Sequence, residues 1–212
     1  MTAAEFAPEP ADLTERALAA LARPGGVILV PTETVYGLVC DWADLTARER
    51  IYQLKGRDRS KPLAMFALNA EMAERFGVRL NPAARKLLAA FAPGPITVIA
   101  RGEGEFATVG VRIPDHAWVL ELLRRRGRPL ASTSANASGR PNARTLPEAQ
   151  NQLHGEVDLA ADGGVLAADA QASTVVDATG DAIRVLRPGP IAEEALKKVL
   201  ETSCKTPETG LH

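Results

Sequence analysis

The sequence predicts a single domain of the α/β or α+β class, built on a mixed sheet of parallel and antiparallel strands. Three observations carry this. The chain has 212 residues, a length that suits one domain with a sizeable core. Short apolar runs bounded by Gly and Pro are interspersed with amphipathic stretches opened by capping residues. The two kinds of segment do not form a regular βαβ repeat, so a purely parallel sheet is not expected.

Taken in order, residues 1–12 are rich in Ala, Pro and Glu and read as a flexible lead-in to a domain over 13–200. A helix over 13–22 is stopped by Pro24-Gly25-Gly26. Val27-Ile28-Leu29-Val30 is apolar throughout and suits a buried strand, which leaves as a loop over 31–37. Thr46 and Glu49 are spaced as a capping box for a helix running to Lys55. A strand follows at 63–67, and Asn81-Pro82 opens a helix that ends before Pro93. Strands are predicted at 96–100 and 108–113, then a helix at 117–126 whose terminal arginines suit its dipole. A strand at 130–133 leads into a polar loop over 134–144. Thr145 and Glu148 form a second capping box for a helix to 153. Strands at 159–161, 174–177 and 183–186 and a helix at 192–200 complete the domain, and 201–212 reads as a flexible tail.

Composition removes several functions. Lys and Arg number 25 against 26 Asp and Glu, a net charge of −1, which excludes a uniformly basic nucleic-acid coat or an acidic tail protein. The longest apolar runs, 17–22 and 87–92, are too short to span a membrane. Glu5 and Glu9 stand where a signal peptide would be basic, so a cytoplasmic protein without a membrane partner is expected. Cys40 and Cys204 have no disulfide or zinc-ligand spacing, and His116, His154 and His212 offer little for a metal. Cys40 lies in an apolar context that suits packing. The chain has no GxxxxGK[ST], GxGxxG or GxSxG motif and no evident Ser-His-Asp or Cys-His set. Anion binding and positioning are therefore expected, without covalent catalysis or a protein-held metal.

Four segments put polar groups where a strand meets a loop, the place where open α/β sheets bind ligands. Residues 31–38 (PTETVYGL) set two hydroxyls and a carboxylate after a buried strand, as a capped polar turn or as part of a site. Residues 55–63 (KGRDRSKPL) hold four cations and one anion, as a solvated loop or as a phosphate clamp. In 108–114 (TVGVRIP), Arg112 and Gly110 share the face opposite Val109 and Val111. Arg112 there pairs with a structural carboxylate or grips a ligand carboxylate. Residues 132–142 (STSANASGRPN) are an ordinary polar loop or one that offers N–H groups and hydroxyls to a phosphate or sugar.

These segments together resemble the YrdC/TsaC family of threonylcarbamoyl-AMP synthases. The matching pieces run in order from residue 24 to 191: PTETVYGL, KGRDRSKPL, PGPITVI at 93–99, VGVRIP, STSANASG, STVVD at 173–177 and RPGPI at 187–191. The resemblance implies a YrdC-like domain whose twisted mixed sheet, with flanking helices, curves around a deep basic cavity. It implies a nucleotidyltransferase that makes threonylcarbamoyl-AMP and pyrophosphate from L-threonine, bicarbonate or carbon dioxide, and ATP. The product would serve N6-threonylcarbamoyladenosine modification of tRNA beside the anticodon, through separate transfer proteins. Mg2+ would arrive with ATP.

By the same resemblance, Lys55, Arg57 and Lys61 form the catalytic basic strip and contact ATP, with Thr108, Ser134, Asn136, Asn142 and Arg187 also on the nucleotide side. Thr32, Arg112, Ser132 and Ser173 match the threonine side, Arg112 taking the carboxylate. Phe66 stands there where many members carry His. The chain resembles the short form of the family, and its intact SAN-x-SG and K-x-R patterns separate it from the YciO-like branch. The alternatives are an RNA-binding module of the same fold, drawing on Arg124, Arg125, Arg126 and Arg128, and a paralogue acting on another amino acid.

Overall fold

The computed structural model describes residues 11–103 and 105–201. The lead-in and tail expected at the two ends lie outside these residues, except that Ala11, Asp12 and Glu201 belong to helices. Cys204 and His212 also lie outside.

One half of the sheet is covered on both faces. Strand β1 (Val27–Val30) pairs antiparallel with β2 (Gly37–Asp41) and parallel with β8 (Leu159–Ala160). Alternation along β1 sends Ile28 and Val30 into a cluster with α1 (Ala11–Ala22) and α5 (Ala117–Arg126). Val27 and Leu29 go to the other face, against Ala47, Ile51 and Leu54 of α2 (Leu45–Lys55). That double burial is why the strand is apolar throughout. Strand β7 (Leu130–Ser134) pairs antiparallel with β2 and carries the sheet onward to β3 (Ala64–Phe66).

The other half is covered on one face only. Parallel to β3 runs β6 (Thr108–Arg112), followed by β5 (Ile96–Gly102), β9 (Thr174–Asp177) and β10 (Arg184–Arg187). Short β4 (Val78–Arg79) joins the end of β5. Met65, Ile96, Val98, Ala100, Val109, Val111 and Val176 share a core with α3 (Ala70–Arg75), α4 (Pro82–Phe91) and α7 (Glu193–Glu201). The alternate residues of β5 and β6 on the opposite face line a cavity, and Phe66 of β3 beside them packs in the cluster with α1 and α5. α6 (Leu146–Asn151) lies in the connection after β7. The strand order is β10-β9-β5-β6-β3-β7-β2-β1-β8, so residues 161–173 must cross from one sheet edge to near the other. Among the described residues, no helix is long and apolar enough to cross a membrane.

The structure corrects several sequence expectations. Gly37–Asp41 is a central strand, fully buried, although only a loop was expected up to residue 37. A six-residue connection hides the hairpin, because no two-residue turn announces it. Cys40 packs in this strand, and burial pushes its thiol up. Helix α3 and strand β4 were not anticipated; both are too short to show a period. The cap of α2 is Asp44, not Thr46. Its carboxylate accepts from Ala47 N at 2.9 Å and from Gly25 N at 2.7 Å, tying the helix start to the turn before β1. The caps at Asn81 and Thr145 stand where expected.

Replacing Asp44 by Ala should cost about 1–2 kcal/mol in urea unfolding, since two backbone donors lose their acceptor. Thr46→Ala should stay within about 0.5 kcal/mol, as exposed substitutions do. The reverse ranking would restore Thr46 as the cap.

Candidate active site

The uncovered face of β5, β6, β3, β7 and β9 forms the wall of a cavity of about 260 Å3. Thr97 and Ile99 of β5, Thr108, Gly110 and Arg112 of β6, and Ser132, Thr133 and Ser134 of β7 line it. Ala64 and Phe66 of β3 add to the wall, as do Ala172 and Ser173 at the end of the crossing connection. Arg57, in the loop after α2, and Arg187, at the end of β10, close it. Three arginines thus line one cavity, and among the described residues no carboxylate shares its wall.

Each arginine is held by a different device. Gly56 ends α2 with φ 55°, a left-handed conformation that glycine adopts without strain. The turn aims Arg57 at the cavity, where its Nε donates to Lys61 O at 3.0 Å and its Nη2 to Pro62 O at 3.2 Å. Arg187 forks onto Ser173 O at 3.1 and 2.8 Å and reaches Ser173 Oγ at 3.1 Å. Gly189 makes this approach feasible: a Cβ there would lie 2.5 Å from Thr174 N and 2.6 Å from Ala172 O. Ser173 Oγ is also 2.8 Å from Thr97 Oγ1, so β5 fixes the hydroxyl that Arg187 meets. Burial, followed by the charges of Arg112 and Arg57, lowers the Arg187 pKa.

Arg112 is buried. Its Nη2 donates to Glu33 Oε1 at 2.8 Å and to Thr34 Oγ1 at 2.6 Å, and its guanidinium carbon lies 5.4 Å from the centre of the Phe66 ring. Phe66 thus presents an aromatic face to a cation.

Of the residues proposed from sequence, Arg57, Phe66, Thr108, Arg112, Ser132, Ser134, Ser173 and Arg187 are brought together on the wall. Thr32 is not on it. Its hydroxyl donates to Val35 O at 2.6 Å and accepts from Val35 N at 3.1 Å, so it shapes the PTETVYGL turn. Lys61 is exposed and off the wall. Asn136 is buried, its amide donating to Arg140 O at 2.6 Å, and Asn142 is half-buried in the same loop. Lys55 is 1% exposed and not on the wall; its ammonium donates to Ser134 O and Asn136 O of that loop. Sequence reasoning missed Thr97 as a partner of Ser173. The signal was a lone hydroxyl between Ile96 and Val98, opposite the apolar face. It also left Glu33 unassigned.

Burial, and next the Arg57 charge, pushes Lys55 down to about 8 from the ordinary 10.5. Between those values the unfolded chain keeps a proton that the folded protein has shed, so this residue's contribution to stability rises with pH. Urea unfolding from pH 8 to 10.5 should therefore show a steeper rise for the wild type than for Lys55→Met. Equal slopes would mean that the amine is not depressed.

Comparison with known proteins agrees with this geometry. A family profile for Sua5, YciO and YrdC, described as "Telomere recombination", matches residues 20–189. A protein of Pyrococcus abyssi named threonylcarbamoyl-AMP synthase is 34% identical over 87% of this chain, which spans 56% of that relative's length. One of Mus musculus with the same name is 37% identical over 86% of the chain and 70% of the relative. The crystal structure of P. abyssi Sua5 complexed with L-threonine superposes with a TM-score of 0.79 at 33% identity, covering 87% of this chain and 56% of that one. With its mixed sheet, its cavity and these matches, the chain belongs to the Sua5/YciO/YrdC family.

Proposed function

We propose that this chain is a threonylcarbamoyl-AMP synthase, joining L-threonine, carbon dioxide from bicarbonate, and ATP. The observation that carries the reading is the set of three arginines and several hydroxyls on one cavity wall without a carboxylate among the described residues. The names of the relatives and the threonine-bound neighbour support the choice of substrates.

The reaction needs little covalent help. The neutral amine of threonine adds to carbon dioxide and releases a proton, giving a carbamate. A carbamate oxygen attacks the α-phosphorus of ATP, and the bond to the β-phosphate oxygen breaks with loss of pyrophosphate. A carboxylate, a carbamate and a triphosphate must meet in one cavity, so fixed cations have to offset their repulsion. Positioning supplies the rest. In this reading Arg57 and Arg187 face the phosphates, with Thr108 and Ser134 beside the nucleotide. Lys55 is a positioning residue, since it ties the 134–136 loop by two carbonyls. Asn136 belongs to the same network, Asn142 lies further along the loop, and Lys61 sits at the rim. Arg112, Ser132 and Ser173 face threonine, with Phe66 as the floor under Arg112. Mg2+ enters with ATP as counter-ion to the phosphates. The product passes to the proteins that transfer the threonylcarbamoyl group to tRNA in the cytoplasm.

The RNA-binding reading loses its main feature. Arg124 pairs with Glu121, Arg125 with Glu15, and Arg126 and Arg128 with Asp41. A basic knot of four arginines paired with three carboxylates of its own chain keeps little net charge for phosphates.

Pyrophosphate release should require ATP, threonine and bicarbonate together, and omission of either of the last two should abolish it. Release independent of threonine or bicarbonate would overturn the reading, and release supported equally by serine or valine would favour a paralogue of other specificity. Arg57→Ala and Arg187→Ala should each lower kcat/KM for ATP by about 100-fold, while circular dichroism shows an unchanged fold. Wild-type values in both would remove the phosphate assignment.

A further inference from the structure

Of the three wall arginines, two meet only neutral acceptors among the described residues. Arg57 donates to Lys61 O and Pro62 O, and Arg187 to Ser173 O and Oγ. Arg112 alone has a carboxylate, Glu33, at 2.8 Å. The Glu33 side chain is 18% exposed and that of Arg112 7%. The pair is not arranged for stability. Arg112 Nε and Glu33 Oε2 are both buried without a hydrogen-bond partner, and an ion pair with orphaned atoms seldom repays its desolvation. Its effect is on charge. Arg57 and Arg187 keep their full charge, whereas the Arg112 end is neutral as a pair. His116, whose pKa burial lowers despite Glu33 and Asp115 nearby, adds no standing charge beside it at neutral pH.

We infer that Glu33 is a specificity-determining residue that sorts the two anionic substrates between the ends of the cavity. Resting on the synthase reading above, the inference adds a role to a residue outside the proposed contact set. By cancelling the charge of Arg112, Glu33 makes that end unattractive to a phosphate of multiple charge, which goes to Arg57 and Arg187. A singly charged carboxylate is still received there by hydrogen bonding and by the orientation that Glu33 and Thr34 impose on the guanidinium. Without Glu33, three uncompensated arginines would let a triphosphate or pyrophosphate slide across and occupy the amino-acid subsite.

The probe is inorganic pyrophosphate, titrated calorimetrically without turnover. Glu33→Gln should bind it about tenfold tighter than wild type, the effect of one uncompensated charge at close range near a protein surface. Pyrophosphate should also become competitive with threonine in this variant. Removing both charges in the double variant Glu33→Gln, Arg112→Gln should return pyrophosphate affinity to within about twofold of wild type, because the net charge is restored. If Glu33→Gln does not fold, Arg112→Gln against the double variant reads the same quantity: the lone Glu33 carboxylate should weaken pyrophosphate about tenfold. Affinities alike across the set overturn the inference. Altered affinities in a protein that releases no pyrophosphate from ATP, threonine and bicarbonate would sink the synthase reading and leave the charge sorting in place.

Discussion

Side chains alternate along β5 and β6, and the helices cover only one of the two faces this creates. Ile96, Val98, Ala100, Val109 and Val111 meet α4 and α7, so Thr97, Ile99, Thr108, Gly110 and Arg112 must face the other way. The cavity follows from that constraint. A one-residue slip between β5 and β6 would bury Arg112 among valines and expose the core, so the packing that stabilises this half of the sheet also fixes the register of the site. The doubly covered half, with β1 and β2, leaves no such open face.

The cations around the cavity share one form of anchoring. Lys55, Arg57 and Arg187 donate to backbone carbonyls of the 134–136 loop, of residues 61–62 and of Ser173. Neutral acceptors orient a cation without cancelling it, so the charges of Arg57 and Arg187 on the wall stay available to an anion. The same bonds fix the loops in place and make separate elements one frame. Elsewhere many cations are paired, as with Arg50 and Arg23 on Asp158 or Arg48 on Glu105, where Arg48 also lies 4.4 Å from the Phe106 ring centre. A balanced total charge thus coexists with a basic cavity, since no carboxylate among the described residues lines its wall. Arg112 is the exception on the wall, and Glu33 makes it so.

Much of the fold was legible because its signals are local. The apolar run 27–30, the Asn81-Pro82 start and the Thr145 cap each reside in a few adjacent residues, and strands at 27–30 and 174–177 and the helix at 117–126 appear as read. Thr46 misled for the same reason. A capping box can be written into sequence, but Asp44 was already held by Gly25 across a turn that sequence does not display. Strand β2 escaped because its evidence is its neighbours on both sides.

For the site, the sequence by itself determined the inventory. It supplied the cations at 55, 57 and 61, the isolated Arg112 on a strand, the small-hydroxyl loop after 132, and the Arg-Pro-Gly near 187, in an order that identifies the family. Only the tertiary structure decided which of these face the cavity. Thr32 and Lys55 turn inward to hold backbone, Lys61 stays outside, and Thr97 and Glu33 enter as partners of Ser173 and Arg112. The physical reason is that residue type fixes charge and hydrogen-bonding capacity along the chain. Which partner satisfies that capacity depends on residues about 80 positions away, such as Glu33 for Arg112 and Asn136 for Lys55, brought near only when the sheet closes its register.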